Sequence, residues 1–309
     1  MTRRPRVAVP TVTTSGATDR ARVARAVSRA ARGLARDLPW VGVADPWAVL
    51  VSEVMLQQTP AARVVDPWRA FLDLYPTPAA LAAAPLGEVL TAWRGPGYHR
   101  RARDLQRAAV VIVERHDGRV PAAVEALRAL PGVGEYTARA VAAFAYGVRV
   151  AVVDTNVARV LARAVAGRSL TPREAREEAT ALLGRREPRR FNQAMIDLGA
   201  RFCSARPRCA RCPLARVCAW RATGGEDPAP TSAHVTRRQA PFAGSDRQWR
   251  GRAIERLRLG PASAVEMRRH LAGLEPARRR RVLDSLVADG LVARTPGGLA
   301  LAGAPRVAR

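Results

Sequence analysis

From about residue 20 to about residue 220 the sequence repeats one pattern: apolar side chains at helical spacing, broken by short connections, with no strand alternation. This restricts the region to an all-α core of many short helices. In DPWAVLVSEVMLQQT, Trp47, Leu50, Val51 and Val54 share a helical face, Asp45 is placed to cap it and Pro46 stands at the first helical position. The same spacing predicts helices over 78–84, 86–93, 101–116, 122–130, 135–146, 155–166, 172–183 and 191–202. Residues 1–20 read as a disordered basic tail, and GGEDPAPTSAH lies in a linker spanning 222–242. Beyond it, 243–304 read as a separate winged-helix-like module. Three helices are expected there, the second opened by the capping pair Ser263 and Glu266, followed by a hairpin turning at 296–298. Arg278, Arg279, Arg280 and Arg281 begin its third helix, either as DNA-phosphate contacts or as a solvated helix end.

The charge narrows the partner. The 309-residue chain carries 52 basic and 26 acidic residues, a formal net charge of +26, and it contains no lysine. Such an excess points to nucleic acid. A membrane is the weaker reading, since no apolar run approaches the roughly 20 residues of a spanning helix. The N-terminus lacks an apolar signal core, so a cytoplasmic, nucleoid-associated protein is expected. Arginine grips phosphate bidentately but cannot form a Schiff base, which removes lysine-based covalent catalysis.

Three features could carry chemistry. LPGVGEYTARA joins two helical patterns through Gly132, Val133 and Gly134, a turn whose backbone N–H groups and following helix start suit a phosphate. Asp154 follows a short apolar run at a helix entrance, where the helix dipole favours an ionised carboxylate; an ordinary N-cap has the same signature. Glu53 lies inside an apolar helix, either on a polar face or in a pocket that raises its pKa. The only cysteines, Cys203, Cys209, Cys212 and Cys218, are spaced x5, x2, x5, a pattern open to zinc or to an iron–sulfur cluster.

VSEVMLQQTPAARV, GPGYHRRARDL, LPGVGEYTARAVAAFAYG, VVDTNVARVLAR, FNQAMIDLGARFC and the cysteine cluster occur in the order found in MutY-type adenine DNA glycosylases of the helix-hairpin-helix superfamily. The resemblance covers about residues 35–220. It implies a six-helix domain with the hairpin over 42–151 and an iron–sulfur cluster domain from 21–41 and 152–221. The C-terminal module resembles that of shorter actinobacterial members and not the Nudix-like domain of longer relatives. The resemblance further implies that Glu53 protonates a flipped adenine while Asp154 stabilises the sugar oxocarbenium ion, the two-carboxylate logic of glycoside cleavage. Asn156 supports that site, and the Tyr136 hydroxyl bonds Asp154. Gln58 and Tyr98 wedge into the duplex, Thr59 lies beside the opposing base, and Trp40 and Gln193 surround the adenine. The four cysteines would hold a [4Fe–4S] cluster. The implied partner is double-stranded DNA with adenine opposite 8-oxoguanine or guanine, bound by a monomer. Departures are Val41 for an arginine, Pro96 and His99 for a leucine and a tyrosine, a first cysteine gap one residue short, and Thr155 for a glycine, a change expected to be tolerated.

The nearest rival, an endonuclease III-type enzyme, cuts the strand with a lysine two residues after the second hairpin glycine; here that residue is Tyr136. A T/G-mismatch glycosylase also carries tyrosine there, but Glu53 favours a purine, whose departure gains from ring protonation. A non-catalytic DNA-binding regulator explains the charge and cysteines but not the two carboxylates.

Overall fold

The computed structural model describes residues 14–235 and 241–303. In chain order the helices are α1 (Thr14–Leu34), α2 (Pro46–Leu56), α3 (Val65–Leu74), α4 (Pro78–Ala83), α5 (Leu86–Ala92), α6 (Arg100–Arg115), α7 (Val124–Arg128), α8 (Glu135–Tyr146), α9 (Thr155–Val160), α10 (Pro172–Leu183), α11 (Pro188–Arg201) and α12 (Ala219–Thr223). Then come α13 (Asp246–Arg258), α14 (Ala264–His270), α15 (Pro276–Ala288), β1 (Val292–Thr295) and β2 (Gly298–Leu301). The chain forms two compact units, residues 1–36 with 149–237 and residues 37–148 with 238–309. None of the described helices is long and apolar enough to cross a membrane.

In the unit built on 37–148, α2 starts as expected: Asp45 accepts the N–H groups of Trp47 and Ala48, with Pro46 next. It is buried on every side from Trp47 to Met55, so Glu53 has no polar face to occupy. Helix α3 contains Pro67 in its first turn, where the missing N–H costs nothing, and the sequence pattern overlooked it for that reason. Between α7 and α8, Gly132 takes φ 75, and a Cβ there would lie 2.8 Å from the Asp104 Cβ. Gly134 has ordinary extended backbone with open space around it; only Gly132 needs to be glycine for the turn itself.

The same unit contains the C-terminal module, which corrects the expectation that it stands apart. Helix α13 lays the nearly buried Arg258 against the helices of 37–148, donating to the Leu90 carbonyl at 2.8 Å and the Trp93 carbonyl at 2.7 Å, and Arg103 of α6 bonds the Asp289 carbonyl. The hairpin pairs Val292 with Leu301 and Thr295 with Gly298, leaving Pro296 and Gly297 as the turn. The four arginines of α15 are not equivalent: Arg278 is paired with Asp246 at 2.8 Å and Arg279 bonds the Leu274 carbonyl at 3.3 Å, while Arg280 and Arg281 are exposed.

In the other unit, α1 is already helical at Thr14, so residues 14–20 are not tail, and 1–13 lie outside the described residues. The segment read as one helix over 155–166 begins as α9 and widens into a π-helical stretch over Leu161–Ala166, ended by Gly167 at φ 65. Amphipathic spacing alone cannot separate these two windings. Residues 227–234 of the expected linker are anchored to this unit, as described below; 236–240 lie outside the described residues.

Candidate active site and cysteine cavity

Asp154 caps α9. Its Oδ1 accepts the Val157 N–H at 2.7 Å and its Oδ2 the Asn156 side-chain amide at 2.6 Å. The helix start was expected to hold this carboxyl ionised. Burial instead pushes it above the usual carboxylate range, against the opposing pull of the Val157 N–H, the Asn156 amide and the Arg159 charge. A carboxylate held so, poor in water, stabilises a nearby developing cation strongly.

The backbone leading to Asp154 is fixed by a residue that sequence reasoning did not single out. Asn192, buried in α11, accepts the Val152 N–H at 3.0 Å and donates to the Val150 carbonyl at 2.9 Å. It lies within the motif FNQAM, beside Gln193, but nothing in its type marks it as a clamp on the backbone of 150–152. Gly199 of the same helix meets α9 so closely that a Cβ would sit 2.7 Å from the Asn156 carbonyl carbon. Gln193 donates to Asp197 at 3.0 Å, and Asp197 also pairs with Arg36 at 2.6 Å.

From Asn156 a run of hydrogen bonds leads to the cysteines. Arg159 donates to Asn156 Oδ1 at 2.5 Å and to the Cys203 carbonyl at 2.6 Å, while Arg163 reaches the Cys203 sulfur at 3.4 Å and the Ser204 carbonyl at 2.7 Å. All four cysteines line one small cavity of about 20 Å³, together with Arg163 and Trp220. Burial raises the thiols of Cys203, Cys212 and Cys218, and N–H groups from Arg163, Leu214, Trp220 and Arg221 oppose it. The shortened first gap still closes: the Arg208 N–H bonds the Phe202 carbonyl at 2.8 Å, and Cys203 keeps its place on the cavity wall. Among the described residues, no three His, Cys, Asp or Glu side chains are arranged to hold a single metal ion.

In the other unit, Glu53 is buried in α2, Tyr136 is half-buried in the first turn of α8, and Val133 is buried beneath the hairpin. Trp40 packs edge-on against Trp68, ring centroids 5.9 Å apart. Gln58 and Tyr98 share an uncommon backbone: both are non-glycine residues in the left-handed region, at φ 55 and φ 47. Strain of this kind concentrates at functional sites. Arg101 ties the two loops together. It donates to Thr59 Oγ1 and the Pro96 carbonyl, each at 2.9 Å, to the carbonyls of Val54 (2.9 Å) and Met55 (2.8 Å), and to that of Gln57. Its guanidinium also lies 5.2 Å from the centre of the Tyr98 ring. Burial lowers its pKa to about 10, which leaves it cationic at neutral pH. Arg101 is one of three arginines in HRRAR, and no local signal distinguishes it.

The departures in this loop acquire reasons. Pro96 contributes its carbonyl to Thr59 and Arg101, which requires no particular side chain. His99 is pushed down to about 3 by burial and by Arg258, Arg250 and Arg101, so it is neutral. The phenol of Tyr98 accepts a hydrogen bond from Arg247 of α13 at 2.6 Å.

The turn at Gly132 between α7 and α8 belongs to a base-excision DNA glycosylase of the helix-hairpin-helix superfamily, the class that comparison with known proteins shows. Residues 51–185 match the family of HhH-GPD superfamily base excision DNA repair proteins. The chain is 49% identical over 273 residues to the adenine DNA glycosylase of Mycobacterium tuberculosis, covering 85% of this chain and 88% of that relative. It belongs to the adenine DNA glycosylases. Among solved structures, a thermostable thymine-DNA glycosylase aligns with TM-score 0.62 at 28% identity, covering 67% of this chain and 98% of its own. A trapped endonuclease III–DNA covalent intermediate aligns with TM-score 0.59 at 26% identity, covering 66% and 97%.

Proposed function

We propose that this DNA N-glycosylase excises adenine mispaired with 8-oxoguanine, and more weakly with guanine, and stops at the abasic site. The observation that carries the reading is the 49% identity over most of the chain to an adenine DNA glycosylase. The absence of lysine, with Tyr136 after the hairpin, supports the stop after base removal.

In this reading the duplex is held by the hairpin backbone at Gly132, Val133 and Gly134 and by arginine–phosphate contacts. Gln58 and Tyr98 fill the space that the extruded adenine leaves, a step costing a few kcal/mol, and Thr59 lies beside the remaining base. Trp40 and Gln193 border the adenine. Glu53 passes a proton to a ring nitrogen, the C–N bond breaks with its electron pair going to the base, and adenine departs neutral. Asp154, steadied by Asn156, stabilises the oxocarbenium ion until water adds to the sugar carbon and loses its proton.

Cys203, Cys209, Cys212 and Cys218 would hold a [4Fe–4S] cluster, which supplies a structural brace. Four thiols around one cavity, with N–H donors to three of the sulfurs, suit that donor set. The protein acts as a monomer, its winged-helix-like module adding to the DNA contact.

The test is single-turnover cleavage of duplexes holding A opposite 8-oxoguanine, A opposite G, and T opposite G, followed by hot alkali. Adenine release with alkali-dependent breaks is expected. The likeness to a thymine-DNA glycosylase structure makes T/G excision the second reading, and cleavage of that pair alone would establish it.

A further inference from the structure

The segment 227–234, composed like a linker, is bonded along its length to the unit that carries Asp154. Asp227 pairs with the buried Arg163 through both carboxylate oxygens, at 2.8 and 2.5 Å. Ser169 donates to the Pro228 carbonyl at 3.1 Å. Ser232 is buried and accepts the Leu170 N–H at 2.9 Å, while the Ala233 N–H returns to the Leu170 carbonyl at 2.9 Å. The strap ends at His234, a non-glycine residue at φ 61, whose carbonyl accepts the Thr155 hydroxyl at 2.6 Å. Thr155 is the residue after Asp154 and the first of α9.

We propose that Thr155 is a positioning residue for Asp154, acting through the His234 carbonyl on this strap. The bonds from Val157 and Asn156 tie the carboxylate to its own helical turn, and so cannot decide where that turn lies. Contacts to other elements decide it: Arg159 to the Cys203 carbonyl, the close approach of Gly199, and Thr155 to His234, beyond the Asn192 clamp on the approach at Val152. The third acts at the helix start, the part most prone to fray. A glycine at 155 could not make this contact, so the threonine, expected only to be tolerated, is put to use. The strap therefore spans the unit from the cysteine cavity, at Asp227 and Arg163, to the residue beside the catalytic carboxylate.

The proposal rests on the reading of Asp154 as the group that stabilises the sugar cation. Its test compares Thr155→Val, which keeps shape without the hydroxyl, with Thr155→Ser, which keeps the donor. Both are made in the full chain and assayed on the A:8-oxoguanine duplex for single-turnover rate, duplex Kd and Tm. Thr155→Val is expected to slow excision about tenfold, as misplacement of a reacting group does, with Kd and Tm unchanged; Thr155→Ser should stay within about twofold of the original. A valine variant at full rate, a serine variant as slow as valine, or a rate loss matched by a fall in Tm would overturn it. If T/G is the pair this chain cleaves, the variants are read on that duplex and the substrate reading alone fails. If neither base is excised, the assignment of Asp154 fails and this proposal with it.

Discussion

Arg101 Nη2 donates to the Thr59 hydroxyl at 2.9 Å, and the same guanidinium closes on carbonyls from both neighbouring loops. Left-handed backbone at Gln58 and Tyr98 is unfavourable for non-glycine residues, and it persists because this one cation satisfies the carbonyls of Val54, Met55, Gln57 and Pro96. Arg101→Met should therefore cost about 2–4 kcal/mol, since several buried acceptors lose a charged donor together. The excision rate should fall further than that stability loss explains. Urea unfolding with single-turnover kinetics checks both; an active, equally stable variant would rule out the clamp.

Gly199→Ala tests the close approach of α11 to α9. A methyl group 2.7 Å from the Asn156 carbonyl carbon cannot be accommodated by side-chain rotation, because the obstacle is backbone. The helices must separate, at about 1–3 kcal/mol. Asp154 rides on α9, so excision should slow while duplex affinity, measured by anisotropy, holds.

Asn192→Leu should be more damaging than its conservative volume suggests. It leaves the buried Val152 N–H without a partner, at about 1–3 kcal/mol, and strips the half-buried Val150 carbonyl of its donor. A lowered Tm together with slower excision is expected, and a Tm within a degree of the original would contradict the role given to this amide.

His99 gives the molecule a pH signature. Its folded-state pKa is about 3, below the unfolded value near 6.5, so between those values the unfolded chain binds the extra proton. The stability it contributes is present above pH 6.5 and is lost as pH falls toward 3. His99→Gln should flatten the drop in urea midpoint between pH 7 and pH 5; equal slopes in both proteins would show that His99 is not held neutral.

How much of this was legible in the sequence follows from what each feature depends on. The all-α pattern, the Asp45 cap, Gly132 and Asp154 at its helix entrance are set by neighbours within a few residues, and the spacing revealed them, whereas Asn156 came only from the family resemblance. Arg101, Asn192 and the strap depend on partners tens of residues away, so their residue types alone said nothing. The packing of the C-terminal module against 37–148 was hidden for the same reason: Arg258 and Arg103 look like any other arginines until their carbonyl partners are known.

Tyr136→Lys brings the hairpin back into question. Tyr136 is half-buried in the first turn of α8, two residues beyond Gly134, and the chain has no lysine to form a Schiff base elsewhere. An amine placed there, lowered in pKa by partial burial, could attack the sugar carbon once the base has left. The iminium so formed permits β-elimination of the 3′ phosphate, which breaks the strand without alkali. Base excision should slow, since the tyrosine is lost from the site, but the products should now include strand breaks and a covalent adduct that borohydride traps. The original protein should give neither above the background from its N-terminal amine. A lysine variant that releases adenine yet shows no breaks and no trapped adduct would mean that residue 136 alone does not decide where the reaction stops.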